Sequence, residues 1–456
     1  MPPFNRQHNA RLRLGVGAGF AGDRFDPAVE LVTKAALDAL VFEVLAERTI
    51  ALAQRRRRTG SAPGFDERLT ARVRTVLAEA MRQQTVLITN GGAADPRGGG
   101  EAVRNLAQQL GLPACRVAVV TGDEVTNDVD LAGCVVLETG EPLAAYRDRI
   151  ISINAYLGIP PLLEALQQAP HVIIAGRTSD AALFLAPLVH AFGWARDDWD
   201  RLAAGSVVGH LLECAGQLTG GYFADGVRKL VPNLARLGFP YADVSADGSA
   251  LLTKLPDAGG CVDRATCLEQ LLYEVENPAS YLTPDVVVDF RPVQLMETAP
   301  DVVRVSGAMG RPAPNTLKAS VGLDGGFIGS GALSYAGPHC VARAQLAAAI
   351  VQERWATLYG REPAQLHLEL IGVNSCTPWR GLEMEDAASP PEVRLRIAVQ
   401  AFDRQVAVDL AHEVEALYTN GPAGGGGVET AVRDTVAILS TLVPRELVEP
   451  QVEMLA

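Results

Sequence analysis

The stretch HVIIAGRTSDAALFLAP, His171–Pro187, carries the pattern on which the fold turns. Its apolar run, His171 to Ala175, is short, β-branched and without alternation, which suits a strand buried on both faces. A polar exit opened by Gly176 follows, and then an apolar stretch from Ala181 whose start Ser179 or Asp180 can cap as a helix. The same order of run, turn and helical stretch occurs four times before it, at Leu12 to Val16, Ala39 to Val44, Thr85 to Thr89 and Arg116 to Val120. Buried strands alternating with helices predict an α/β fold, a largely parallel sheet flanked by helices. The repeats are too few for a closed barrel, so an open sheet is expected.

From about Gln217 the pattern loosens, and then DVVVDFRPV, DVVRVSG, LKASVGL and FIGSGALSYAG follow one another without helices between them. That texture predicts antiparallel pairing. A helix over Cys340 to Tyr359, two further strands and a helix ending before Asn420 complete an α+β C-terminal domain. The expected organisation is an α/β domain over 1–279 and an α+β domain over 280–456, with the boundary near Ala279.

The 456 residues are 48% hydrophobic and 20% charged, an ordinary globular composition. The apolar run at Ala342 to Val351 is broken by Arg343 and Gln345, so no segment reaches membrane length. The first residues lack the apolar core and cleavage site of a signal peptide and read as a frayed cytoplasmic end. Seven widely spaced cysteines without a C-x-x-C pair suit a reducing compartment. A net charge of −13 repels phosphate polymers, which argues against nucleic acid as a partner. The basic run Arg55 to Arg58 reads as the solvated end of a helix, where cations meet the dipole favourably.

In open parallel sheets ligands bind beyond the carboxyl ends of the strands, so the residues following each run are the first candidates. They include Gly17, Gly19, Gly22, Asp23 and Arg24 after the first run, and Asn90, Gly91 and Gly92 after the third. Asp123 follows the fourth run, and Arg177, Ser179 and Asp180 the fifth. Gly17, Gly19 and Gly22 satisfy the dinucleotide spacing G-x-G-x-x-G, but an anionic Asp23 would oppose a pyrophosphate, and Pro27 suits the start of the next helix. Glu43 and Glu47 suit proton transfer only when partly desolvated. His210 and Glu213, three apart, share a face if SVVGHLLECAG is helical, as a base with an orienting carboxylate, as a structural pair, or as half of a metal site whose other ligands would come from afar. Arg177 is a bidentate donor to a carboxylate or phosphate. Cys214 reads as inert packing rather than a nucleophile.

Taken together, GAGFAGDRFDPAVEL, VFEVLAERT, GRTSDAAL, GHLLECAGQLTGG, LTPDVVVDF, SYAGP and YTNGPAGGGG resemble the acyclic terpene utilisation family, the AtuA-like proteins. The likeness runs in one order from about Leu12 to the last helix. It implies a catabolic enzyme of acyl-CoA or branched-acid metabolism, without assigning catalytic residues. Where the family pattern often has acidic residues this chain has Ser330 and Ala332, which implies a different substrate.

On these grounds the expected function is a cofactor-independent lyase or hydratase acting on a branched acyl-CoA or hydroxy acid. Glu47, Asp180, His210 and Glu213 are its candidates for proton transfer. The glycine tract near the end, with Asn420, Gly424, Gly425 and Gly426, reads as an anion-receiving turn before a last helix, and a flexible connector is the other reading. A CoA thioester is a candidate substrate, and a divalent metal stays open although no ligand set is assigned. The expected partners are a small acyl or carboxylate molecule and further copies of the chain in a homo-oligomer. Two alternatives stand beside this one: a non-catalytic binding or scaffold subunit of a multiprotein enzyme, and a nicotinamide-dependent oxidoreductase.

Overall fold

The five apolar runs all form strands, and they lie side by side. The computed structural model describes residues 11–376 and 390–455; the expected frayed N-terminal end lies outside the described residues. In chain order the strands are β1 (Arg11–Ala18), β2 (Ala39–Phe42), β3 (Val86–Thr89), β4 (Val117–Thr121), β5 (Ile150–Ala155), β6 (Val172–Ala175), β7 (Pro240–Ser245), β8 (Ala250–Lys254), β9 (Tyr281–Leu282), β10 (Val287–Asp289), β11 (Gln294–Ala299), β12 (Val302–Ser306), β13 (Met309–Arg311), β14 (Thr316–Ala336), β15 (His367–Ile371), β16 (Glu392–Ala401), β17 (Gly426–Pro444) and β18 (Gln451–Leu455). The helices are α1 (Asp26–Lys34), α2 (Glu47–Thr59), α3 (Leu69–Gln83), α4 (Pro96–Gln109), α5 (Ile159–Gln167), α6 (Ala182–Phe192), α7 (Trp199–Glu213), α8 (Arg264–Leu272), α9 (Cys340–Tyr359) and α10 (Arg404–Asn420).

The strands β1, β2, β3, β6 and β4 are parallel neighbours in that order, the expected core. Antiparallel strands widen it to an open ten-stranded sheet: β7, β8, β12 and β11 beyond β1, and β18 beyond β4. Strands β2, β3 and β6 are buried along their whole length, as a sheet covered on both faces requires.

The chain divides into two compact units, Met1–Gly322 with Ile438–Ala456, and Leu323–Ala437. The expected boundary near Ala279 therefore falls inside the first unit. The physical reason is pairing: β12 binds the edge strand β8, which carries the β11–β12 hairpin into the large sheet, and β18 returns to β4. In the second unit, α9 and α10 cover one face of a sheet with β15, β16 and parts of β14 and β17, through Leu333, Tyr335, Leu395, Ile397, Trp355 and Val414.

The glycine tract does not introduce a helix. It opens β17, whose sequence VETAVRDTVAILSTLV is dense in the β-branched residues that favour strands. Ser330 and Ala332 lie in the long strand β14, opposite Ala398 and Arg396 of β16. The basic run Arg55 to Arg58 closes α2, where Arg56 pairs with Glu67 and Arg57 with Glu124.

Candidate functional site

Residues following three of the parallel strands converge on a cavity of about 940 Å³ in the first unit. Gly19, Asp23 and Arg24 reach it from beyond β1, Glu43 and Glu47 from beyond β2, and Arg177, Ser179 and Asp180 from beyond β6. Glu213 enters from the end of α7, Tyr156 from beyond β5 and Lys318 from β14. Leu137, Leu237, Phe239, Leu282, Pro284 and Leu442 supply apolar wall. The cavity thus joins a cluster of charged groups at the strand ends to a wall of mixed apolar and polar residues, a make-up suited to a small molecule.

Arg177 is its electrostatic centre, 1% exposed. Its Nη1 donates to Asp180 Oδ1 at 3.0 Å and to the Leu45 carbonyl, and its guanidinium lies over the Tyr156 ring, 4.0 Å from the centroid. Burial opposes its charge, but Asp180, Tyr156, Glu47 and Glu43 outweigh that and hold it protonated. Asp123, buried at the exit of β4, does not reach the cavity. It accepts the Arg177 backbone N–H at 3.1 Å and Asn154 Nδ2 at 2.9 Å, so it positions the arginine from behind.

Around this cation the carboxyl groups are driven in different directions. Glu43 is buried, and Leu45 N–H and Asn90 Nδ2 donate to its Oε1 at 3.0 and 2.8 Å. Desolvation raises it to about 7 against the pull of Arg177 and Asn90. Asp180 is raised well above the usual carboxylate range by burial and by the crowding of Glu43, Glu213 and Glu47, with Arg177 opposing. About a third of its side chain is exposed, and Asp180 lines the cavity. Glu47 goes the other way. Burial raises it, but Arg177, the Tyr156 hydroxyl and Lys318 at 3.3 Å bring it down to about 2, and its place in the first turn of α2 favours the anion.

His210 lies on one face of α7 with Glu213, as expected, with its Nδ1 2.9 Å from Glu213 Oε1. Its Nε2 is 3.3 Å from the Leu271 carbonyl, which can only accept, so that nitrogen carries a proton. Burial disfavours the imidazolium, yet Glu213 raises the histidine above its ordinary value. His210 itself is packed against Tyr281 and Phe290 and acts on the cavity through Glu213. Cys214 also lines the cavity, with its thiol pushed up by burial and by Glu213, which opposes thiolate chemistry.

The other expected residues have different tasks. The Asp23 carboxylate accepts the backbone N–H of Gly19 at 2.9 Å and of Arg24 at 3.0 Å, so it occupies the turn that a pyrophosphate would need. Gly17 and Gly19 are glycines for packing, since a Cβ would strike the Phe42 ring and the Cys214 backbone respectively, and at Gly22 it would strike the Phe20 ring. Asn90 is fully buried and orients Glu43, and Gly91 and Gly92 are buried beside it. The cap expected from Ser179 or Asp180 is absent, because the Asp180 carboxylate is engaged by Arg177 instead.

Asn420, Gly424, Gly425 and Gly426 belong to the second unit and are not part of the cavity wall. Asn420 ends α10 and donates to the Ala416 carbonyl, and Gly425 lies against Leu333 and Tyr335. Among the described residues, no group of three or more His, Cys, Asp or Glu is arranged to hold a metal ion.

Two cavity groups were missed along the sequence. Tyr156 follows a β-branched run, Ile150 to Ile153, and the rule applied to the other strand exits would have found it. Lys318 has no such signal, because its nearness to Glu47 depends on the pairing of β5 with β14, seen in the Tyr156 N–H bond to the Lys318 carbonyl at 2.9 Å.

Fold and cavity together define a mixed α/β protein with a partly apolar pocket of titratable groups at the carboxyl ends of its parallel strands. The chain belongs to the acyclic terpene utilisation family: it matches the description "Acyclic terpene utilisation family protein AtuA" over residues 12–454. No curated protein and no solved structure matches it.

Proposed function

We propose that the protein is a lyase or hydratase that moves water or a comparable group next to the carbonyl of a branched acyl-CoA or hydroxy acid. The observation that carries this reading is the pair Glu43 and Asp180, two cavity carboxyl groups both raised by burial and both under the field of Arg177. Two carboxyl groups crowded beside one cation disfavour double ionisation, so one tends to hold a proton while the other can accept one, which acid–base catalysis needs. In the dehydrating direction, ionised Glu43 takes the proton from the carbon beside the carbonyl. The carbon–oxygen bond breaks as Asp180 gives its proton to the departing hydroxyl, so water leaves and a double bond forms. Lys318, held by Glu47 near the Tyr156 ring, is the cation for the substrate's carboxylate or carbonyl oxygen.

Mass spectrometry of branched hydroxyacyl and enoyl thioesters and their free acids, incubated with the protein in deuterated water, tests this. We expect gain or loss of water and deuterium uptake beside the carbonyl, with Glu43→Gln and Asp180→Asn each lowering kcat by about 10² to 10⁴. Binding without turnover or exchange would instead favour a binding subunit.

A further inference from the structure

The cavity has a rim that the proposed chemistry does not use. Phe20, 61% exposed, and Tyr222, 85% exposed, both line it. Tyr222 has φ +62°, in the left-handed region that bulky residues avoid, and it follows Gly220 at φ +102°. Strain of this kind persists where the surroundings hold it, and it gathers at ligand clamps. The segment that starts at Tyr222 carries two further exposed apolar side chains, Val227 at 79% and Leu230 at 71%. Both of its ends belong to the cavity wall, through Gly221 and Tyr222 at one end and Leu237 and Phe239 at the other.

The segment is preformed inside, and outside it is anchored at its far end, where the Pro232 and Arg236 carbonyls accept the Gly260 and Gly259 N–H groups at 2.8 Å, while its tip is held by the exposed ion pair of Lys229 with Glu269 of α8. The Asp225 carboxylate accepts the N–H groups of Val227, Arg228 and Lys229 at 2.7 to 2.8 Å, which fixes the tip as a unit. Its tie to the loop after β1 is Arg24 Nη1, which reaches the Leu234 and Ala235 carbonyls at 3.3 and 3.2 Å. Gly226 and Asn233, both at positive φ, provide further bending points.

We propose that the segment from Tyr222 to Arg236 is a lid, and that it closes Tyr222 against Phe20 of the loop after β1, over the apolar tail of an acyl ligand whose polar end lies against Lys318. The proposal rests on the acyl-substrate reading above and extends it: tail length and bulk are recognised by these two rings. Closure gives the exposed apolar groups a partner and removes the tail from water, which strengthens binding about fourfold for each methylene covered.

Calorimetry of butanoate, hexanoate and octanoate with the wild type, Phe20→Ala, Tyr222→Ala and Tyr222→Gly tests the proposal, alongside trypsin digestion at Arg228 and Lys229. Both rings are exposed, so the variants should fold, and the glycine variant also relieves the left-handed strain. In the wild type, affinity should rise steeply with chain length and saturating octanoate should slow cleavage in the loop at least tenfold. In the variants each added methylene should gain less than twofold, so their loss of affinity relative to the wild type should grow from butanoate to octanoate. An unaltered chain-length dependence in the variants, or cleavage as fast with octanoate as without, overturns the lid while leaving the acyl site standing. Failure of every carboxylate, and of its CoA thioester, to bind the wild type overturns the acyl reading and the lid with it.

Discussion

Glu43 and Glu47 are four residues apart, yet their environments differ enough to give them opposite roles. Glu43 loses water and gains two neutral hydrogen-bond donors, so its charge is poorly compensated and its pKa rises to about 7. Glu47 gains Arg177, Lys318 and the Tyr156 hydroxyl and falls to about 2, which makes it a fixed anion and a weak base. The candidate base is therefore Glu43, and Glu47 holds Lys318. If Glu43 must be ionised and Asp180 protonated, activity should rise as pH passes through about 7 and fall again where Asp180 loses its proton. A kcat/KM profile from pH 5 to 9 measures this, and a flat profile would contradict the assignment.

At the scale of single elements, the glycine-rich turns differ in purpose. The turn after β1 is packed against α7, and a Cβ at Gly19 would collide with the Cys214 backbone. Gly19→Ala should cost about 1–3 kcal/mol, as overpacking in a filled interior does. In the tract that opens β17, Gly424 and Gly427 hold left-handed φ of +75° and +62°, whereas Gly426 has open space around it. Gly427→Ala should therefore cost about 1–2 kcal/mol and Gly426→Ala almost nothing. Thermal unfolding of the three variants separates the cases, and equal stability for all of them would show that neither packing nor backbone conformation explains these glycines. Strand β17 departs from the helix expected after these glycines because the Val, Thr and Ile that follow them favour a strand.

For the molecule as a whole, several carboxyl groups are buried at some expense of stability. Besides Glu43, desolvation raises Asp123 and Asp285 to about 6, the latter where it accepts the Ile159 N–H that starts α5. A carboxyl whose folded pKa lies above its unfolded value favours the folded state when protonated. Its contribution is therefore lost as pH rises through the folded pKa. Between about pH 4, where the carboxyls of the unfolded chain ionise, and about pH 7 these groups should lower the melting temperature as pH increases. Asp285→Asn keeps an acceptor for Ile159 and removes the charge, so it should raise stability at pH 8 by on the order of 2 kcal/mol. Calorimetric melting at about pH 4 and 8 tests this, and the idea fails if the variant and the wild type respond equally to pH.

The five parallel strands could be read along the chain because each is a local fact. A run of β-branched residues four or five long, ended by glycine or a polar residue, has few other places to go than the middle of a covered sheet. The same locality made the exits of those strands, with Asp23, Glu43, Glu47, Arg177 and Asp180, visible as candidates. The pairing of His210 with Glu213 also needed only helical spacing. What spacing could not supply was contact between residues far apart. Asp123 holds the Arg177 backbone N–H instead of facing the cavity, and Lys318 joins the cavity only through β14. The unit boundary moved because β12 and β18 found edges of the large sheet. Burial and opposing charge, which separate Glu43 from Glu47, arise from groups drawn from all along the chain, and they exist only once it has folded.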